Sequence, residues 1–281
     1  AILSNYVALH YKAQHMSWLH CMWGVGASIS PYIMSFALVR LDGWSYGYLI
    51  VSIIQAVLCA FIFISLPVWR RAERADSASD IQEQSPPLSF REIFSIKNAL
   101  PCFLMFFGYC ALELTTSLWT SSYLVQKWEF APEVAAGLAS MYYLGLTFGR
   151  FVNGFLAMKL GDHFLIRMGL GIISVGIILL FIPASSIFAL IGFILIGLGC
   201  APVYPCIIHM TPDVFGRDKS QAMIGVQMAF AYVGFLVMPP LFGLIAEHIS
   251  ISLLPVYLLI LLACIIVMHE ILMRNLAKNN K

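Results

Sequence analysis

The sequence predicts an all-α protein that crosses a membrane eight times. Three observations carry this reading. Of 281 residues, 60% are hydrophobic and only 11% charged, whereas soluble domains carry about 25% charged residues. The apolar residues gather in runs of roughly 20, the length that crosses a ~30 Å hydrocarbon core. Lipid offers the backbone no hydrogen-bond partners, so runs of this length must be helical.

Taken in order, the runs cover about residues 16–39, 46–67, 99–125, 135–158, 164–183, 186–211, 221–246 and 250–273. Residues 1–9 read as the last turns of an earlier span, and the chain opens without Met or a signal peptide, the pattern of a fragment. The one long polar stretch, 68–97, leaves two spans before it and six after it. Its first part, 70–87 (RRAERADSASDIQEQSPP), mixes both charges with Ser and ends in two prolines, which predicts a flexible linker. Beyond it, Ser89 and Glu92 have capping-box spacing and Leu88 with Ile93 fits a hydrophobic staple. They predict a short amphipathic helix over 90–97 on the inner membrane surface, with an ordinary polar loop as the alternative. The expected layout is therefore 1–67 as a remnant of one bundle, 68–97 as linker and 98–281 as a six-helix bundle. Connections near 183–186 and 247–250 are so short that adjacent helices must run antiparallel, which leaves no room for an external ligand-binding domain.

Thirteen of the sixteen basic residues fall on one side of this arrangement, among them Lys12, five in the linker, Lys159, Arg167, Arg217 and Lys219. The other side holds Arg40 and Lys127, and Arg150 lies within a span. The positive-inside rule then places both ends and the linker in the cytoplasm. Seven cysteines lie within or beside apolar runs, and their odd number and lack of zinc-site spacing read as small buried hydrophobes. A faint repeat pairs Gly26 and Pro31 with Gly234 and Pro239 at a constant offset of 208. The spans concerned are six apart, as equivalents in two parallel halves would be.

Glu113 is the sharpest chemical signal. It stands fourteen residues past Ala99, about 21 Å along a helix, at a depth where a carboxylate costs about 2.5–3.5 kcal/mol and must face a cavity or a partner. Tyr109, Thr116, Ser117 and Thr120 share its face, a stripe suited to a hydroxyl-rich solute or a proton site, or else to fixing helix packing. Arg150 and Asn153 lie three apart near the inner end of the fourth span, with Arg150 fitting an anionic group or a structural or gating ion pair. His20 and Trp23 could donate to and stack on a sugar ring, or simply anchor the interface. In the sixth span, Gly197, Gly199, Pro202 and Pro205 interrupt the helix around Tyr204, with His209 following. Gln227 is a further cavity donor, and Tyr232 a weaker one. No HExxH, GxSxG, GxGD or phosphate-loop motif is present, since His269-Glu270 has no His at 273. The expectation is a protein that is not an enzyme, has no cofactor or metal and binds no nucleic acid.

Three runs, NYVALHYKAQHMSWLHCMWGVGASISP, GYCALELTTSLWTSSYL and GLGCAPVYPCIIHMTPDVFG, resemble the major facilitator superfamily and its fucose-permease-like bacterial sugar transporters. The superfamily's loop pattern, roughly G-x-L-A-D-R-x-G-R, is matched by Gly154, Leu156, Ala157 and Gly161 with Lys159 at a basic position. Met158 replaces the acid and Asp162 the final base, which alters the usual gating charge pair. The resemblance implies equivalents of helices five to twelve of a twelve-helix transporter, with residues 1–12 ending the fourth. It implies alternating access by two rocking bundles and sugar uptake coupled to protons, in a bacterial inner membrane, by a lipid-embedded monomer when full length. Glu113, Asn153, Gln227, His20, Trp23, Tyr204, Thr116 and Tyr109 would then serve the substrate, and Arg150, Gly154, Lys159, Gly161, Pro31 and Pro239 the gate or scaffold. A multidrug/proton efflux antiporter of the same superfamily, loosely suggested by Gly24-x-Gly26…Pro31, and a non-transporting sensor or inactive remnant are the alternatives.

Overall fold

The computed structural model describes residues 2–41, 43–79 and 89–279; the side chains of some helical residues, Pro31 among them, lie outside the described residues. The elements are α1 (Ile2–His10), α2 (Ala13–Arg40), α3 (Trp44–Ser79), α4 (Phe90–Ser95), α5 (Ala99–Trp128) and α6 (Pro132–Leu156). They continue with α7 (Asp162–Leu180), α8 (Ser186–His209), α9 (Thr211–Phe215), α10 (Arg217–His248), a 3-10 turn (Ile251–Leu253) and α11 (Leu254–Asn279). No strand occurs among the described residues. Among the described residues, six helical stretches are long and apolar enough to cross a membrane: Trp44–Pro67, Ala99–Trp128, Asp162–Leu180, Ser186–His209, Arg217–His248 and Ile251–Lys278. The protein is thus an integral, multi-pass membrane protein. The other two long helices are α2 with 28 residues and α6 with 25.

Two compact units divide the chain. One joins Ala1–Gly24 to Pro87–Lys281, and the other is Val25–Pro86. Residues 2–24 belong with the later helices because α1 packs on α8, α9 and α10, with the Ser220 hydroxyl donating to Asn5 Oδ1 at 2.8 Å. In the second unit, α3 does not stop where the polar linker begins. It runs through Pro67 to Ser79, contrary to the flexible linker expected from residue 70 onward. Ala, Arg and Glu are strong helix formers, and RRAERAD extends a helix already nucleated by the apolar span. The remainder of the expected linker, 80–88, lies outside the described residues, and with it Leu88 of the staple.

The capping box before α4 is present in full. Glu92 accepts from the Ser89 backbone N–H at 2.7 Å and from its hydroxyl at 2.8 Å, and these donors hold the Glu92 carboxyl below its usual range. The helix ends at Ser95. Its apolar face is turned to the bundle: Ile93 is buried, and the Phe94 ring meets Phe103 and Phe230.

In the larger unit α5 is central, packing on α6, α8, α10 and α11. The closest approaches pass through glycine. A Cβ at Gly169 or Gly199 would meet the other's carbonyl oxygen, and Gly176 and Gly192 are related in the same way, so α7 and α8 touch backbone to backbone. Gly145, Gly149 and Gly197 do the same for α6 and α8, with Gly197 against the Tyr142 carbonyl. Lipid tails are as apolar as Leu, so helices gain little from hydrophobic burial and instead rely on close packing across small residues. The Gly/Pro repeat is not matched by equivalent packing: Gly234 sits against the Phe107 carbonyl, whereas nothing lies within 4 Å of a Cβ at Gly26.

Gly176→Val and Gly199→Val should each cost about 1–3 kcal/mol by overpacking, read as a lowered melting temperature of the full-length protein in detergent. Gly171→Ala, at a position with open space, should leave the melting temperature unchanged or raise it.

Candidate functional site

Glu113 and Arg150 meet at the centre of the larger unit. Arg150 Nη2 lies 3.3 Å from Glu113 Oε1, and the two side chains are 3% and 10% exposed. They come from α5 and α6, and glycine contacts seat α6 on α8. The guanidinium also donates at 3.4 Å to the His20 carbonyl. Its Cζ stands 5.0 Å from the centre of the Trp23 ring, a cation–π geometry. Tyr109 in turn donates to the Cys200 carbonyl at 3.0 Å, and Tyr142 to the Glu113 carbonyl at 3.2 Å. These two tyrosines brace the pair from α5 and α6 and are themselves wholly buried.

Bracing is incomplete at the charged atoms. Glu113 Oε2, Arg150 Nε, His20 Nε2 and Thr147 Oγ1 are buried without a hydrogen-bond partner. Buried polar atoms in native proteins are normally paired, so this cluster can offer donors and acceptors to a small polar molecule. Aromatic surface adjoins it: the His20 and Tyr204 rings are 4.6 Å apart, and Tyr204 also packs on Phe106 and Tyr109. Trp23 is 53% exposed.

The structure therefore brings together Glu113, Arg150, Tyr109, His20, Trp23 and Tyr204. Other residues expected at the site lie apart from it. Gln227 is fully buried in a separate network, donating to Cys102 Sγ at 2.9 Å and accepting from Thr211 at 3.1 Å. Cys102 precedes Glu113 by eleven residues, about 16 Å along α5. Thr116 spends its hydroxyl on the Leu112 carbonyl of its own helix at 2.8 Å, and Thr120 does likewise on Thr116 at 2.6 Å. The hydroxyl stripe is helix-internal because β-hydroxyls satisfy themselves on the preceding turn when no other partner competes. Asn153 Nδ2 donates to Ser17 Oγ at 2.7 Å, which ties α6 to α2.

Of the residues expected to gate or support, Gly154 is where Trp18 seats, since a Cβ there would collide with the indole. Lys159 is exposed in the turn after α6, and Gly161 precedes α7 with open space around it. Pro239 lies inside α10, where its carbonyl accepts from Trp119 Nε1 at 3.0 Å. Three cavities lie away from the ion pair. Two of about 470 Å³ flank Tyr11 and His209 at the end of the unit bearing Lys12 and Arg217. A third of about 450 Å³ is lined by Trp119, Gln126 and Glu247. The pairing of Glu113 with Arg150, rather than either residue alone, is what the sequence reading missed. Its signal was available, because an acid and a base buried within spans are expected to seek each other.

Glu113→Gln should destabilise the full-length protein by about 3–5 kcal/mol, because it leaves a buried guanidinium uncompensated. Combining it with Arg150→Met should recover a large part of that loss in the same denaturation measurement.

Comparison with known proteins accounts for this architecture. The chain is 24% identical over 282 residues to Bypass of stop codon protein 6 of Saccharomyces cerevisiae, covering 91% of this chain and 56% of that protein. It is 24% identical over 178 residues to the cis,cis-muconate transport protein of Acinetobacter baylyi, covering 60% of this chain and 41% of the relative. It spans about half the length of these curated relatives. The crystal structure of the E. coli fucose:proton symporter FucP superposes with a TM-score of 0.68 at 17% identity, over 92% of this chain and 68% of that one. A family model of the Major Facilitator Superfamily matches residues 102–281, and the chain belongs to that superfamily.

Proposed function

We propose that the full-length protein is a secondary transporter that carries a sugar or similarly polar solute together with protons by alternating access. The observation that carries this reading is the Glu113–Arg150 pair, buried and in contact, with polar atoms on both members left unpartnered. A proton on Glu113 would cancel its charge and free the guanidinium. A solute hydroxyl could then take the place of the carboxylate, which links proton and solute occupancy at one point. The aromatic rings of Trp23 and Tyr204 supply faces on which a sugar ring can stack. The fold shared with a fucose:proton symporter supports the same reading.

In this reading α2 and α6 are also spans, giving eight, and their buried polar residues have partners within the bundle: Ser17 with Asn153 and Arg150 with Glu113. By chain order, residues 1–67 are the remnant of one half, although 2–24 pack with the later helices, 68–97 form a cytoplasmic linker and 98–281 form the other half. Loop charges support cytoplasmic termini, and the sugar-transporter resemblance implies a bacterial inner membrane. The partners are the solute, protons and lipid, with the full-length protein a monomer. A second reading, a small organic acid as solute, is favoured by the unpartnered Arg150 Nε and by the relative named for cis,cis-muconate transport.

Full-length protein in liposomes should accumulate a sugar when the outside is acid, and a panel that includes organic acids decides between the two solute classes. Glu113→Gln should lower uptake about tenfold or more, the equivalent of about 1.4 kcal/mol, and remove its pH dependence. Unchanged uptake and pH profile in that variant would exclude Glu113 from the coupling. Trp23→Ala should raise the apparent KM for sugar with a smaller effect on the maximal rate.

A further inference from the structure

The turn between α1 and α2 meets α9 and the start of α10 around a cavity of about 470 Å³, away from Glu113. Lys12, Arg217, His10, His15, His209 and Asp213 line it. The Lys12 and Arg217 side chains are exposed and form no hydrogen bond or ion pair among the described residues. Both stand at helix N-termini, Lys12 directly before α2 and Arg217 as the first residue of α10. A helix dipole disfavours a cation at that end and favours an anion. A positive-inside topology accounts for basic residues on this side, but not for two unpaired cations gathered on one cavity.

The wall that presents them is braced. The Tyr6 ring lies 4.4 Å from that of His10, and His15 follows between Tyr11 and Trp18 at 5.3 and 6.1 Å. Trp18 in turn seats at Gly154. On the facing element the Ser220 hydroxyl reaches Asn5 Oδ1 at 2.8 Å and the Arg217 carbonyl at 2.9 Å, so α1 holds the first turn of α10.

A second cavity of about 470 Å³ adjoins the first and shares Tyr11, Lys12, Gln14 and His209 with it. Its far wall carries Asp162, whose Oδ2 lies 2.7 Å from His209 Nδ1. A carboxylate only accepts hydrogen bonds, so this end repels an anion while the Lys12 and Arg217 end attracts one. Between them stands Gln14, whose amide both donates and accepts and has no partner among the described residues. Each cavity falls within the range of about 300–1,000 Å³ typical of small-molecule sites.

We propose that this pocket binds the phosphate ester of a polyol, with Lys12 and Arg217 on the phosphoryl oxygens and Gln14 on the hydroxyls. Arg and Lys pair with phosphate through charge-assisted bonds, and Asp162 sets the direction in which the ester lies. Placement of the pocket in the cytoplasm rests on the transport reading above. In that reading the reaction that supplies such an ester is phosphoryl transfer to the imported sugar, so the pocket registers the product of what the transporter admits. The headgroup of phosphatidylglycerol offers the same chemistry from the bilayer, a phosphate beside free hydroxyls.

The test titrates glucose-6-phosphate and inorganic phosphate into the full-length protein in phosphatidylcholine nanodiscs, by calorimetry. Native mass spectrometry of the protein from phosphatidylglycerol-containing nanodiscs reads the lipid source. Lys12→Gln combined with Arg217→Gln should weaken glucose-6-phosphate binding, or lipid retention, about tenfold or more. Lys12→Arg with Arg217→Lys should restore it. Gln14→Ala should remove most of the preference for the ester over inorganic phosphate, and Trp23→Ala, at the central site, should leave ester binding unchanged. Melting temperatures close to the parent's report that each variant folds. Binding of one ligand alone supports the pocket and names its source. Binding of neither, or binding equal in the parent and the double glutamine variant, overturns it. Uptake is measured separately: ester or lipid binding without uptake of any solute sinks the transport reading alone, and uptake with neither ligand bound sinks the pocket alone.

Discussion

Backbone contact through glycine is the constraint on which the rest of this structure depends. Within lipid, helices have no hydrophobic incentive to pair, so they associate only as closely as their surfaces allow. Gly169 with Gly199 and Gly176 with Gly192 remove the side chains between α7 and α8, and Gly145, Gly149 and Gly197 do so between α6 and α8. α8 is thereby clasped on two sides. Its position sets where Cys200 presents a carbonyl to Tyr109, while Glu113 and the His20 carbonyl hold Arg150. The charged centre is a consequence of contacts that contain no charge.

The two polar contacts in the larger unit then have different characters. Around Glu113 and Arg150, charges are enclosed by tyrosines and left with unpaired atoms, an arrangement that favours exchange of partners. At Asp162 and His209 the groups are more open and adjoin cavities lined by three segments of chain. Both use a carboxylate opposite a cation, but only the second cation can lose its charge near neutral pH.

Much of this fold was legible in the sequence because membrane helices obey a single strong rule, and run length located the long helices to within about four residues, apart from the far ends of α3 and α11. The α3 helix continues to Ser79 because Ala, Arg and Glu propagate a helix well, although charge and Ser content suggest disorder. Glu113, Arg150, His20 and Trp23 were each visible as polar or aromatic residues at unusual depth. Their grouping was not, because it depends on the rotation of α6 against α5, which run length and depth do not encode. Gln227 shows the converse: depth and polarity marked it, yet Cys102 and Thr211 already satisfy it. Hydroxyls such as Thr116 mislead for a related reason, since the preceding turn of their own helix is always within reach.

The tie between Ser17 and Asn153, two residues 136 positions apart, has a consequence for how the protein is made. At about 5–20 residues per second of synthesis, Ser17 leaves the ribosome about 7–27 s before its partner exists. The seat for Trp18 at Gly154 and the partner of Asn5 at Ser220 arrive as late or later. Throughout that interval this early segment must sit in or beside the membrane with its indole, amide and hydroxyl uncommitted. Its insertion therefore precedes its packing, and the insertion machinery or a lipid headgroup has to stand in for the helices still to come.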